Sequence, residues 1–321
     1  MEPGPALSIT PKRLVKRAEK HLKQFAARFA GISSQDDSDT IHDARVSSRR
    51  LQQVFAIMFP KPRTDKQREL IRILRKVRRR LGACRSVDVN LDLIAEAING
   101  AHDAAARNAW EQLRSHLKKQ RKREIKRATR KLSRYRSSEF VALSHECLDR
   151  IGADLASRDI YATLKESLEK ARQRWHETLV LAKQDRDPAR LHELRITAKR
   201  LRYRAELLAE FGDSGAEAWV KELKEFQQNL GRWHDRHVLF QSVAEFIGRP
   251  DFLLHCPDIA RSLLDELQKA RDEEAAVVQS IIKSADRVSG MLGSTVSSIN
   301  PEAGIRQVEL LPDRRFARQR S

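Results

Sequence analysis

The sequence predicts an all-α protein built from a duplicated helical unit, and three observations predict it. Only 12 glycines and 10 prolines occur in 321 residues, and they fall mostly between periodic segments. Ala, Leu, Arg, Lys, Glu and Gln, all good helix formers, dominate, and no segment alternates β-branched and polar residues as a strand would. The third observation is an internal repeat. Ile41-His-Asp-Ala-Arg-Val-Ser-Ser-Arg-Arg-Leu51 aligns with Leu191-His-Glu-Leu-Arg-Ile-Thr-Ala-Lys-Arg-Leu201, 150 residues later. Leu81-Gly-Ala-Cys-Arg-Ser-Val-Asp-Val89 then aligns with Leu230-Gly-Arg-Trp-His-Asp-Arg-His-Val238. Two matches in the same order imply two similar halves, packed about a pseudo-twofold axis.

Taken in order, the helices lie between breaks expected near Gly31–Asp39, Pro60–Pro62, Gly82, Gly100, Ala153–Asp159, Asp185–Pro188, Gly212–Gly215 and Gly231. The first repeated helix begins at Asp37 and Ser38, and the second at Asp187 and Pro188, each read as N-cap and N1. Ile41, Ala44, Ser48, Leu51, Phe55 and Met58 recur at helical spacing and form the core stripe of the first. Leu191, Leu194, Ala198, Leu201, Ala205 and Leu208 do so in the second. Leu70, Leu74, Val77 and Leu81 mark the core face of the helix that follows the first copy, and Leu223, Phe226 and Leu230 that of its counterpart. Residues 101–151 contain neither glycine nor proline and read as continuous helix. From about Asp286 the composition turns to Ser, Gly and Pro, so a flexible basic tail over 286–321 is expected after halves of about 8–152 and 153–285.

Charge narrows the function. Lys and Arg outnumber Asp and Glu by 63 to 44, a net +19, which points to a polyanionic partner. Residues 1–150 carry 35 basic and 17 acidic side chains, and the remainder 28 and 27, so the first half is the main anion-holding side. Cys84, Cys147 and Cys256 form no C-x-x-C pair, which fits a reducing compartment without disulfides or a thiolate metal site. The N-terminus lacks the pattern of a signal peptide and no 18-residue apolar run occurs. A cytoplasmic location is expected, with no membrane span and no cofactor.

The candidate site lies on the other face of the repeated helices. His42, Arg45, Arg49 and Gln52 share one stripe, and His192, Arg195, Lys199 and Arg202 share its counterpart. Successive side chains on such a stripe are about 5.4 Å apart along the axis, a spacing suited to a linear polymer of phosphates. The next helix carries Arg68, Arg72, Arg75 and Arg79 opposite its core face, widened by Lys76, Arg78 and Arg80. Its counterpart is more dilute, with Lys221 and Lys224. Arginine stays charged and holds two phosphate oxygens at once. Histidine adds a donor whose charge rises near phosphate. One basic stripe is usually a solvated surface, and its like charges repel; repetition of His-x-x-Arg-x-x-x-basic in both halves favours a binding face.

Catalysis finds little support. No G-x-x-x-x-G-K-[ST], G-x-S-x-G or H-E-x-x-H occurs. His234 and His237 have metal-compatible spacing, but Arg85 and Asp88 occupy the matching places in the first half, so no metal is expected. Two other readings are a nucleic-acid-binding helical module and, further off, a metal-dependent phosphohydrolase using His234, Asp235 and His237. Aromatic residues make up only 6% of the chain, sparse for a single-strand binder that stacks bases.

With these four motif blocks in order over residues 8–285, the sequence resembles the CHAD family, the conserved histidine α-helical domain. The resemblance implies two helical bundles related by pseudo-symmetry around a basic central cavity, and a non-catalytic polyphosphate-binding module, in some members at polyphosphate granules. Carried over by position, it implies phosphate contacts from His42, Arg45, Arg49 and Arg50 and from His192, Arg195, Lys199 and Arg200, with Arg85 and His234 nearby. Ser86 departs from the family pattern, which has Asp there, and puts a local charge pair in doubt.

Overall fold

Runs of good helix formers punctuated by short polar residues become eleven helices, with no strand, among the described residues. The computed structural model describes residues 9–32, 38–61, 64–151 and 155–297. In chain order the helices are α1 (Pro11–Gly31), α2 (Ser38–Met58), α3 (Asp65–Gly100), α4 (Ala104–Leu132), α5 (Ser137–Asp149), α6 (Ile160–Gln184), α7 (Pro188–Ala209), α8 (Ser214–Ile247), α9 (Pro250–His255), α10 (Pro257–Asp272) and α11 (Glu274–Ser297). Their starts are set by caps. Thr64 and Gln67 form a reciprocal capping box on α3. Asp103, Asp159, Asp187 and Asp213 each accept from a backbone N–H in the first turn of α4, α6, α7 and α8. Each oxygen takes an N–H that a helix start leaves without an intrahelical acceptor, worth about 1 kcal/mol per cap. Asp187 and Pro188 are thus cap and first helical residue as expected; Asp37 lies outside the described residues.

Helix α2 packs against both α1 and α3, and α7 against both α6 and α8, while α2 and α7 meet each other. Helix α5 closes the first group against α1 and α3, and α11 closes the second against α6 and α8. Both repeated helices turn their apolar stripes inward. Ile41, Ala44, Ser48, Leu51, Phe55 and Met58 are buried, as are Leu191, Leu194, Ala198, Leu201, Ala205 and Leu208. Burying each leucine there contributes about 1.5–3 kcal/mol. A smaller, separate core joins the far ends of α3 and α8 to the first half of α4 and to α10, through Ile94, Trp110, Leu113, Val243, Phe246 and Leu263.

Four expectations need correction. Gly82 and Gly231 do not break the chain; they sit inside α3 and α8. An interior glycine costs about 1 kcal/mol relative to alanine, which the burial of Leu81, Cys84, Leu230 and Trp233 outweighs. Residues 101–151 are not one helix. Ser133 and Arg136 flank a turn between α4 and α5 made without glycine or proline. The proposed tail begins too early, because α11 runs to Ser297 and Val288 and Leu292 are buried on it. Gly290 and Gly293 sit on the exposed side of an amphipathic helix, and tertiary packing overrides their weak propensity. Residues 298–321 lie outside the described residues.

Candidate anion site

The two histidine helices meet each other, and their apolar stripes both enter the main hydrophobic core, which leaves polar residues of each on another face. Between them lies a cavity of ≈ 390 Å³. Seven basic side chains from four helices line it: His42, Arg45 and Arg49 from α2, Arg85 from α3, Arg195 and Lys199 from α7, and His234 from α8. Asp235 is the one carboxylate on its wall. Its 3.9 Å approach to Arg195 is the only ion pair inside the cavity among the described residues.

Unbalanced charge at close quarters shows in the protonation of these groups. Lys199 is pulled from its ordinary value down to about 7, first by burial and then by Arg195 and Arg49. Burial, followed by Arg195, His192 and Lys199, pushes His234 to about 3. Arg45 is lowered to about 10, by burial and then by Arg49, Arg78 and Arg85. His42, His192 and Arg195 are lowered as well, each mainly by burial. Asp235 is raised, because burial outweighs the nearby cations. An anion entering the cavity reverses the repulsive part of these shifts.

Hydrogen bonds fix the arginines. The Arg45 guanidinium donates from Nη1 to the carbonyl of Arg78 at 2.6 Å, and Arg78 donates to Gln52 Oε1 at 2.5 Å. Gly82 makes room for Arg45: a Cβ there would stand 3.2 Å from Nη1. Arg49 donates to the Tyr203 hydroxyl at 2.7 Å and lies over its ring. Arg202 stacks on the same ring and pairs with Glu206 at 2.9 Å, so it supports Tyr203 rather than lining the cavity. The Arg195 Nε atom is buried and has no hydrogen-bond partner.

A second basin of ≈ 670 Å³ opens along α3, lined by Arg68, Arg72, Arg75, Lys76, Arg78 and Arg79. Arg45, Arg49 and Gly82 line both spaces, so the two adjoin. Within the basin Arg68 pairs with Asp65 at 2.5 Å and Arg72 with Glu69. Lys76 donates to the Tyr135 hydroxyl at 3.2 Å.

Not all predicted residues join this system. His192 does not line the cavity, although its ring centroid is 5.0 Å from that of His234. Arg50 faces a small pocket with His21, Glu206 and Glu210. Arg200 is exposed beside Arg78 and Arg204. Lys221 and Lys224 stand exposed on α8 and line neither space. For His237, the ring stacks on Trp233 at 5.5 Å. Among the described residues no group of three or more His, Cys, Asp or Glu is placed to hold a metal ion. Nor is any helix there long and apolar enough to cross a membrane.

Sequence reasoning undervalued Arg78, which it treated as widening the surface, and missed Tyr203 and Gly82. Their signals were Tyr203 ending the second histidine block and glycine following leucine in both Leu-Gly segments.

Comparison with known proteins bears on fold and family. The crystal structure of the CHAD domain from the plant Ricinus communis matches with a TM-score of 0.64 at 21% identity, covering 87% of this chain and 95% of that one. PptA from Streptomyces chartreusis matches with a TM-score of 0.56 at 16% identity, covering 90% and 100%. No curated protein matches the sequence. The CHAD domain family model matches residues 16–244, a span that holds both histidine helices and both Leu-Gly segments, and the chain therefore belongs to the CHAD-domain family.

Proposed function

We propose that this protein binds inorganic polyphosphate, held between the two histidine helices and along α3, without performing chemistry on it. One observation carries the reading: seven basic side chains from four helices converge on one cavity that contains a single carboxylate. Scattered surface charge would spread out, whereas these groups are drawn together, and partial burial lowers the pKa of His42, Arg45, Arg195, Lys199 and His234. The adjoining basin on α3 extends the row of guanidiniums, which suits a linear polyanion better than one compact phosphate. Guanidinium and ammonium groups donate to phosphate oxygens without acid–base work, which supports binding alone. The repeated α2–α3 and α7–α8 pairs support a duplicated unit, with one half of the cavity from each copy. A cytoplasmic setting, at polyphosphate granules, belongs to the same proposal and draws on the family.

The test removes two basic side chains that line the cavity, Arg49 and Lys199. An Arg49→Ala/Lys199→Ala variant with parental helicity by circular dichroism is expected to lose about a hundredfold in polyphosphate affinity. That figure follows from about 1.5 kcal/mol for each charge-assisted contact. Parental affinity in the folded variant would show that the cavity is not the site.

A further inference from the structure

Helix α4 is the most basic element outside the cavity and the α3 basin. Its 29 residues hold eleven Lys or Arg and two Glu, which is half of the excess positive charge of residues 1–150. Lys119, Lys122, Arg123, Lys126 and Arg130 are all exposed. Among the described residues none of the five has a carboxylate within ion-pair distance. Lys119, Arg123, Lys126 and Arg130 follow the i, i+4, i+7, i+11 spacing of one helix face, and the row runs about 16 Å along the axis. The helix that packs on α4 from the second half has no such row: α10 carries Arg261, Lys269 and Arg271 against four acidic residues.

The row is not isolated. Arg121 pairs with Asp88 at 2.5 Å, and Lys76 meets Tyr135, just beyond the end of α4, at 3.2 Å. Rising numbers on α4 thus meet falling numbers on α3, so the two helices are antiparallel and the C-terminal half of α4 runs beside the basin. Tyr135 is the junction. It takes Lys76 from the basin side, and Arg134 lies 6.0 Å from its ring centroid. Basic side chains therefore reach from the α3 basin past Tyr135 to Arg134 at the C-terminal end of α4, and the exposed row runs back from that end on the side of α4 away from its buried Leu117, Ala128 and Leu132.

We infer that the α4 ridge is a second binding surface for the same phosphate polymer, engaged only by chains long enough to leave the cavity and pass the α3 basin. This rests on the reading of the cavity as a polyphosphate site. On this geometry a short chain is held by the cavity alone. A long chain adds solvent-exposed contacts to lysines and arginines, which are salt-sensitive and insensitive to local detail.

The experiment is a Lys119→Ala/Lys122→Ala/Lys126→Ala/Arg130→Ala variant titrated with tripolyphosphate, with long-chain polyphosphate and with single-stranded RNA. Alanine preserves the helix, and circular dichroism checks it. Expected are unchanged tripolyphosphate affinity and long-chain affinity reduced about tenfold or more. The salt slope for the long chain should fall by about one for each contact removed. Unchanged long-chain affinity would overturn the inference, as would an equal loss for tripolyphosphate. Loss of RNA binding with long-chain polyphosphate unaffected would assign the ridge to nucleic acid instead. The cavity variant Arg49→Ala/Lys199→Ala separates the two claims, because it should weaken the short chain. If it does not, or if the parent binds neither polyphosphate, the cavity reading and its extension fall together.

Discussion

Lys199 carries the tension of the site in one ammonium group. Its pKa is lowered to about 7, first by burial and then by Arg195 and Arg49, against an ordinary value of 10.5. Between about pH 7 and 10.5 the unfolded chain therefore holds this proton more firmly than the native one. Ligand-free stability should rise with pH across that window. His234, lowered to about 3 from 6.5 by burial and then Arg195, adds a rise between pH 3 and 6.5. A bound polyphosphate pulls both values back up, so binding near neutral pH should take up protons and weaken as pH climbs above 7. Titration in two buffers of different ionisation enthalpy measures that uptake. Lys199→Met should abolish most of it, raise the ligand-free melting temperature by several degrees and lower affinity. A variant that melts lower and keeps the full uptake would place the charge strain elsewhere. The residue types were legible at this scale, since all seven basic side chains of the cavity stand in the repeated blocks. The hydrogen bonds that aim them were not, because Tyr203 and Gln52 act across helix contacts that one strand of sequence does not display.

The long helix α3 shows what an element adds. Its core face was legible from the spacing of Leu70, Leu74, Val77 and Leu81, all buried. Its length was not, because Gly82 reads as a break. The glycine serves the site, since it lies where cavity and basin adjoin and a Cβ would meet Arg45 at 3.2 Å. Gly82→Leu should leave helicity intact, narrow the junction and weaken long-chain binding more than tripolyphosphate binding, by calorimetry. Equal effects on both would mean that the junction is not part of the path. The apolar stripe of α7 is tested by Leu201→Ala, which removes a fully buried side chain. A loss of about 2–5 kcal/mol in urea unfolding is expected, and a change below 1 kcal/mol would contradict the packing described.

At the scale of the molecule, one main core runs through both halves of the chain, and basic side chains of α2, α3, α7 and α8 line a cavity outside it. The all-helical fold was legible in the composition and in the periodic apolar stripes, and the repeated blocks name the basic side chains that line the cavity. The turn between α4 and α5, the second small core and the continuation of α11 to Ser297 were hidden, because each depends on packing rather than on glycine, proline or composition. Lys221 and Lys224 make the same point in reverse: a basic helix face in the right element stays outside the site when its side points away from the cavity. On the proposed function, overall charge would set the salt dependence, and the clustered arginines a preference for bare phosphate over bases. The measurement that tests this most directly is calorimetric titration of the intact protein with medium-chain polyphosphate at low and high salt, beside single-stranded RNA. The account predicts tight polyphosphate binding that falls steeply with salt, and much weaker RNA binding. RNA bound as tightly as polyphosphate, or polyphosphate binding indifferent to salt, would contradict it.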